Sequence, residues 1–174
     1  GGCGCEKCSP WGGNGYIRAS KRAKEVAKEF YPDCTLMVST WLFDSPPSGE
    51  WEGLSKSLEN EKWCDVIEAD SHTKYPRYPI DVEVPGGLPL TAFPEISMWG
   101  LWPWGGYGAS FFPKRYTKIF RATEGKLSGG RMYSEGIFED LNKYVVAGLY
   151  KDFNNDPEKA VAEYASYHFG LKET

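Results

Sequence analysis

Positive charge is in short supply in this 174-residue chain: 20 Lys and Arg stand against 24 Asp and Glu, a net charge of −4. That balance argues against nucleic acid as the main partner. No apolar run approaches the roughly 20 residues that span a bilayer, and the first residues lack signal-peptide architecture, so no membrane partner is expected. No glycine-rich phosphate loop follows the first strand-like segment. Five cysteines cannot form a fully paired disulfide framework within one chain. Cys3, Cys5 and Cys8 form CxCxxC, the one cluster suited to a metal ion. However, no second CxxC or HxxxH follows, and Cys34, Cys64, His72 and His168 lie far off. The expectation is therefore reduced loop cysteines, no metal and no other cofactor. Unpaired thiols lean toward a reducing, cytoplasmic compartment.

Aromatic residues, by contrast, make up 16% of the chain and crowd its middle. Residues 91–112, TAFPEISMWGLWPWGGYGASFF, put one carboxylate, Glu95, at the end of an apolar run, with an aromatic, glycine-rich loop behind it. Flat apolar rings beside a few polar groups suit the faces of sugars, whose C–H groups pack on aromatics while their hydroxyls take hydrogen bonds.

Hydrophobic periodicity organises the rest. Ala19, Ala23, Val26, Ala27 and Phe30 recur at helical spacing and predict a helix over 17–30, closed by Tyr31-Pro32. Strands are expected at 35–43, 63–70, 88–98 and 131–134. Helices are expected at 53–61, 113–124 and 137–150, with 71–87 as a long loop. A last amphipathic helix follows Asp156-Pro157, with Asp156 as its cap. Strands alternating with helices or long loops predict an α/β fold with parallel strands and covering helices.

Within that alternation, Asp44, Asp70, Glu95 and Glu135 fall at or near the C-terminal ends of the four strands. In a (β/α)8 (TIM) barrel those ends converge on the face where active sites are built. A whole barrel needs eight strands and about 250 residues. The chain is therefore expected to be a C-terminal half barrel, with four parallel strands over residues 1–153. Residues 154–174 would add a helix that begins a post-barrel helical region. An opening of Gly-Gly-Cys-Gly-Cys, inside what reads as a loop, agrees with an excised piece whose N-terminal half is missing.

Glycosidic hydrolysis needs a carboxylic acid to protonate the leaving oxygen and a carboxylate to activate water or attack carbon. Glu95 and Glu135 are the leading catalytic candidates and Asp70 the third. A glycan or oligosaccharide would rest on Trp41, Trp99, Trp102, Trp104, Tyr107 and Tyr133, with Asp44 and His72 as polar contacts. Glu139 and Asp140 read as structural acids in the first turn of a helix. A non-catalytic carbohydrate-binding protein using the same aromatics is the alternative.

The run CxCxxC…NGY, STWLFD, GEWEGL, ADSH, FPEISMWG, PWGGYG and YSEGIFEDLNK resembles the barrel of bacterial glycoside-hydrolase-like proteins that are distantly similar to α-glucuronidases and hexosaminidase-type barrels. The closing DPEKAVAEYASYHFG is similar to the helix that follows such barrels. The resemblance implies a (β/α)8 barrel acting on carbohydrate, with Asp70, Glu95 and Glu135 supplying the later carboxylates. The strand-four general acid that it also implies would lie before Gly1. The paired Asp-Glu of hexosaminidases does not occur here.

Overall fold

The computed structural model describes residues 16–45, 48–72, 74–97, 111–135 and 139–171. Among them the chain is α/β, with parallel strands and six helices. It divides into two units: residues 1–70 with 76–92, and residues 71–75 with 93–174.

In the first unit, α1 (Tyr16–Phe30) ends where expected, just ahead of Pro32. Its Lys24 reaches Asp65 at 2.6 Å, and the same carboxylate accepts the Leu36 amide at 2.8 Å. One acid thus ties the helix to the entries of two strands, β1 (Met37–Ser39) and β2 (Val66–Asp70). These pair in parallel with Val38 opposite Ile67. β2 buries Ile67, Glu68 and Ala69 in succession, as a parallel strand covered on both faces does. β3 (Leu90–Phe93) lies beside β2, whose Ile67 amide donates to the Pro89 carbonyl at 3.0 Å.

The segment expected to be a long loop contains a short helix, α3 (Tyr78–Asp81), and a 3-10 turn at Pro85–Gly87. That turn packs on α2 (Glu50–Leu58). Gly86 adopts φ 64°, and a Cβ there would stand 3.2 Å from Leu58 Cβ, so glycine is required twice over.

The third expected strand is divided. Pro94 has no N–H for a ladder, and pairing changes across it: β3 ends at Phe93 and β4 (Glu95–Ser97) begins. The fourth, expected at 131–134, shortens to β6 (Tyr133–Ser134), and a two-residue strand, β5 (Gly129–Gly130), precedes it. β4 and β6 are parallel, Glu95 opposite Tyr133, with an irregularity before Ser97 meets Ser134.

Alternation along β4 sends Ile96 to the face opposite Glu95. Ile96 joins the core of the second unit with Tyr116, Phe120, Val145, Val146 and Leu149, from α4 (Pro113–Arg121) and α5 (Asp140–Lys151). Tyr116 Oη donates to the Ile96 carbonyl at 2.7 Å, and buried Asn142 accepts the Phe112 amide at 3.1 Å ahead of α4. α6 (Pro157–Phe169) adds Ala160 to the same core. Asp156 caps α6 as expected, accepting the Glu158 amide at 2.9 Å.

Candidate functional site

Glu95 is fully buried on β4. A carboxylate without water requires a counter-charge or a proton, since desolvating an isolated charge costs far more than a fold can spare. His72 supplies the partner: its Nε2 contacts Glu95 Oε2, and a fifth of the His72 side chain remains exposed. The imidazole thus links a buried carboxylate to solvent. Arg115, in the first turn of α4, donates from Nη2 to the His72 carbonyl. Burial lowers the Arg115 pKa, while the charges of Tyr116 and Glu95 oppose that shift. Glu95 therefore faces two basic groups, one of which also fixes the backbone that carries the other.

Phe93 forms the floor beside this pair. Its ring meets His72 edge-on at 6.1 Å and Tyr133 edge-on at 5.8 Å, and the Arg131 guanidinium lies 4.5 Å from its centroid. Tyr133 Oη donates to Glu135 Oε1 at 2.7 Å, and its pKa is raised, chiefly by that bond. Glu135 is held from behind as well, because its amide donates to the Ser97 carbonyl at 3.2 Å. The part-exposed His72 imidazole thus meets the Phe93 ring directly, and the exposed Glu135 carboxylate is joined to that ring through Tyr133.

Four of the residues expected from sequence come together here: His72, Glu95, Tyr133 and Glu135. Their roles differ from the simple expectation in one respect. Glu95 lies within a strand and is fully covered, with His72 between it and solvent; Glu135 is the carboxylate open to solvent. Glu139, expected in the first turn of a helix, instead stands just ahead of α5 and accepts from Ser134 Oγ, while Asp140 occupies that first turn.

Trp41, Asp44 and Asp70 belong to the first unit. Trp41 is exposed in the turn after β1. Asp44 accepts from Trp51 Nε1 at 3.1 Å, and Asp70 closes β2 half-buried. Trp99, Trp102, Trp104 and Tyr107, like Cys3, Cys5 and Cys8, lie outside the described residues. Among the described residues no cluster of His, Cys, Asp and Glu could hold a metal ion, and no helix is long and apolar enough to cross a membrane.

Phe93, Arg115 and Arg131 are the participants that sequence reasoning did not place. Phe93 had a usable signal, because it stands two residues before Glu95, the spacing that returns a strand to one face. Arg115 had none: its reach to His72 is a tertiary contact between residues 43 apart. No protein-family model, curated protein or solved structure matches this chain.

Proposed function

We propose that the chain is the C-terminal half of a (β/α)8 barrel of glycoside-hydrolase type, whose full-length protein hydrolyses a glycosidic bond at the His72–Glu95 and Tyr133–Glu135 face. The observation that carries this reading is the pair of ionisable groups joined through the Phe93 ring, which meets both His72 and Tyr133. One is an imidazole backed by a buried carboxylate; the other is an open carboxylate steadied by a phenol. Parallel pairing of strands, β1 with β2 in one unit and β4 with β6 in the other, supports the barrel half of the proposal.

In this mechanism His72 donates a proton to the leaving glycosidic oxygen, and Glu95 stabilises the imidazolium before transfer. Glu135 removes a proton from the attacking water, or attacks the anomeric carbon itself. Arg115 keeps His72 in place through its carbonyl. Asp70, expected from sequence as a third carboxylate, belongs to the other unit and has no role in this mechanism. The aromatic side chains of Trp99, Trp102, Trp104 and Tyr107 would supply the sugar platform.

The second reading, a glycan-binding protein without turnover, draws on the complete burial of Glu95, which would then serve only to hold His72. One experiment separates the two. The full-length protein is incubated with a panel of aryl glycosides and a glycan array, beside a His72→Gln variant. Product release that falls about 10²–10⁴-fold in the variant supports hydrolysis by this pair. Glycan capture with no product from either protein favours the binding reading.

A further inference from the structure

Glu139 is buried in the second unit, 5% exposed, and takes no part in the proton transfers proposed above. Burying a carboxyl group costs free energy unless a donor meets it. Here the donor is the Ser134 hydroxyl, which bonds Glu139 Oε2. Ser134 stands between Tyr133 and Glu135, whose side chains bond each other at 2.7 Å. Successive residues of an extended segment point to opposite faces. Tyr133 and Glu135 therefore share the side on which Tyr133 meets Phe93, and Ser134 turns to the other, where Glu139 receives it.

The segment that carries Tyr133 and Glu135 is weakly held without this contact. β6 has two residues and is paired with β4 in a two-stranded sheet whose register shifts between Glu95 and Ser97. The Tyr133 amide donates to the Pro94 carbonyl at 3.1 Å and the Glu135 amide to the Ser97 carbonyl at 3.2 Å. Both bonds lie along one edge of the segment, so on their own they act as a hinge. The bond from Ser134 to Glu139 adds a point off that line and stops rotation about it. Glu139 is itself well fixed. It directly precedes α5, and its carbonyl accepts the Lys143 amide at 3.0 Å. Val145 and Val146 of α5 are fully buried in the core. Catalytic groups need to be held to within about 0.5 Å, which a rigid helix does better than a two-residue strand.

We propose that Glu139 is a positioning residue: through Ser134 it locks β6 to the start of α5 and so sets the Tyr133–Glu135 hydrogen bond. Neither Ser134 nor Glu139 touches substrate. The effect on turnover rests on the hydrolase reading; the effect on the Tyr133–Glu135 bond does not.

Tyr133 reports the lock directly, because its bond to Glu135 stabilises the neutral phenol and raises its pKa. Tyrosines isotope-labelled at Cζ are titrated by NMR in the protein. Tyr133→Phe assigns the resonance, and Glu135→Gln marks the pKa without the carboxylate. Ser134→Ala and Glu139→Ala are expected to lower the Tyr133 pKa toward the Glu135→Gln value. Glu139→Gln keeps an oxygen for Ser134 and should titrate like the parent. Lost stability alone leaves Tyr133 unmoved in a folded variant, and Ser134→Ala, the smaller change, carries the test should Glu139→Ala unfold. A Tyr133 pKa in Ser134→Ala equal to that of the parent, or one in Glu139→Gln as low as in Ser134→Ala, would overturn the proposal. In the full-length protein, Ser134→Ala should also lower kcat on an identified glycoside about tenfold or more at nearly constant KM. An undiminished kcat would overturn the positioning role. A shifted Tyr133 titration with no turnover by any form, the parent included, would leave the lock in place and remove only the hydrolase reading.

Discussion

A carboxylate with no exposed surface makes the His72–Glu95 contact an energetic commitment as well as a chemical one. Replacing Glu95 alone by Leu leaves His72 without its partner. It should cost about 3 kcal/mol, the low end for a broken buried pair, because His72 keeps some exposure. Urea unfolding of Glu95→Leu, His72→Leu and the double variant measures the coupling. Additive losses would show that the two side chains do not interact. Asp65 gives a second test of the same physics. Burial acts to raise its pKa, but the bond from Lys24, the Leu36 amide and the charge of Lys28 outweigh it, and the pKa is lowered. A lowered folded-state pKa stabilises the fold above the ordinary carboxylate value near 3.9, and that contribution is lost as pH falls through the folded value. Asp65→Asn should therefore be less stable than the parent at neutral pH, with the gap closing in acid. A gap that stays constant from neutral pH into acid would contradict the charge-based account.

At the level of elements, the helices were the most legible part of the chain. The apolar period of residues 17–30, the proline opening α4 and the Asp156 cap each rest on contacts within a few residues of one another. The strands were legible as apolar runs but not as pairing units. A run such as 88–98 shows where a strand can lie, and only the neighbouring strand decides that Pro94 divides it. The turn at Pro85–Gly87 escaped notice because glycines in a polar, proline-rich stretch read as loop. Its dependence on glycine is testable. Gly86→Ala would place a Cβ in a left-handed residue and against Leu58 Cβ at 3.2 Å. A loss of about 1–2 kcal/mol is expected, read as a lower urea midpoint at unchanged slope. An unchanged midpoint would mean that the turn relaxes freely.

For the whole molecule, the recurrence of acids after successive strands was the feature that pointed to one site, and it did so only in part. Glu95 on β4 lies opposite Tyr133 on β6, and Glu135, just past β6, accepts from the Tyr133 hydroxyl. Asp44 instead holds a tryptophan in the other unit, because an acid next to a turn serves a nearby N–H donor as readily as a substrate. His72 came into view only as a polar neighbour of Asp70, since the carboxylate that it meets is 23 residues further on. The half-barrel proposal carries its own consequence. Half a barrel leaves two sheet edges without partners, and such edges recruit other chains. The chain alone should show a concentration-dependent increase in size by light scattering, and a partner supplying the preceding strands should suppress it. A monomer at all concentrations, with a cooperative melt, would speak against the half barrel.

The central claim is that the exposed Glu135 carboxylate, held by Tyr133, does chemistry. Its most direct test is turnover of an identified glycoside by the full-length protein carrying Glu135→Gln. The substitution keeps the size of the side chain and an oxygen able to accept from Tyr133. The account predicts that kcat falls about 10²-fold or more while KM changes little, as for a group that acts in the transition state. An unchanged kcat would contradict it.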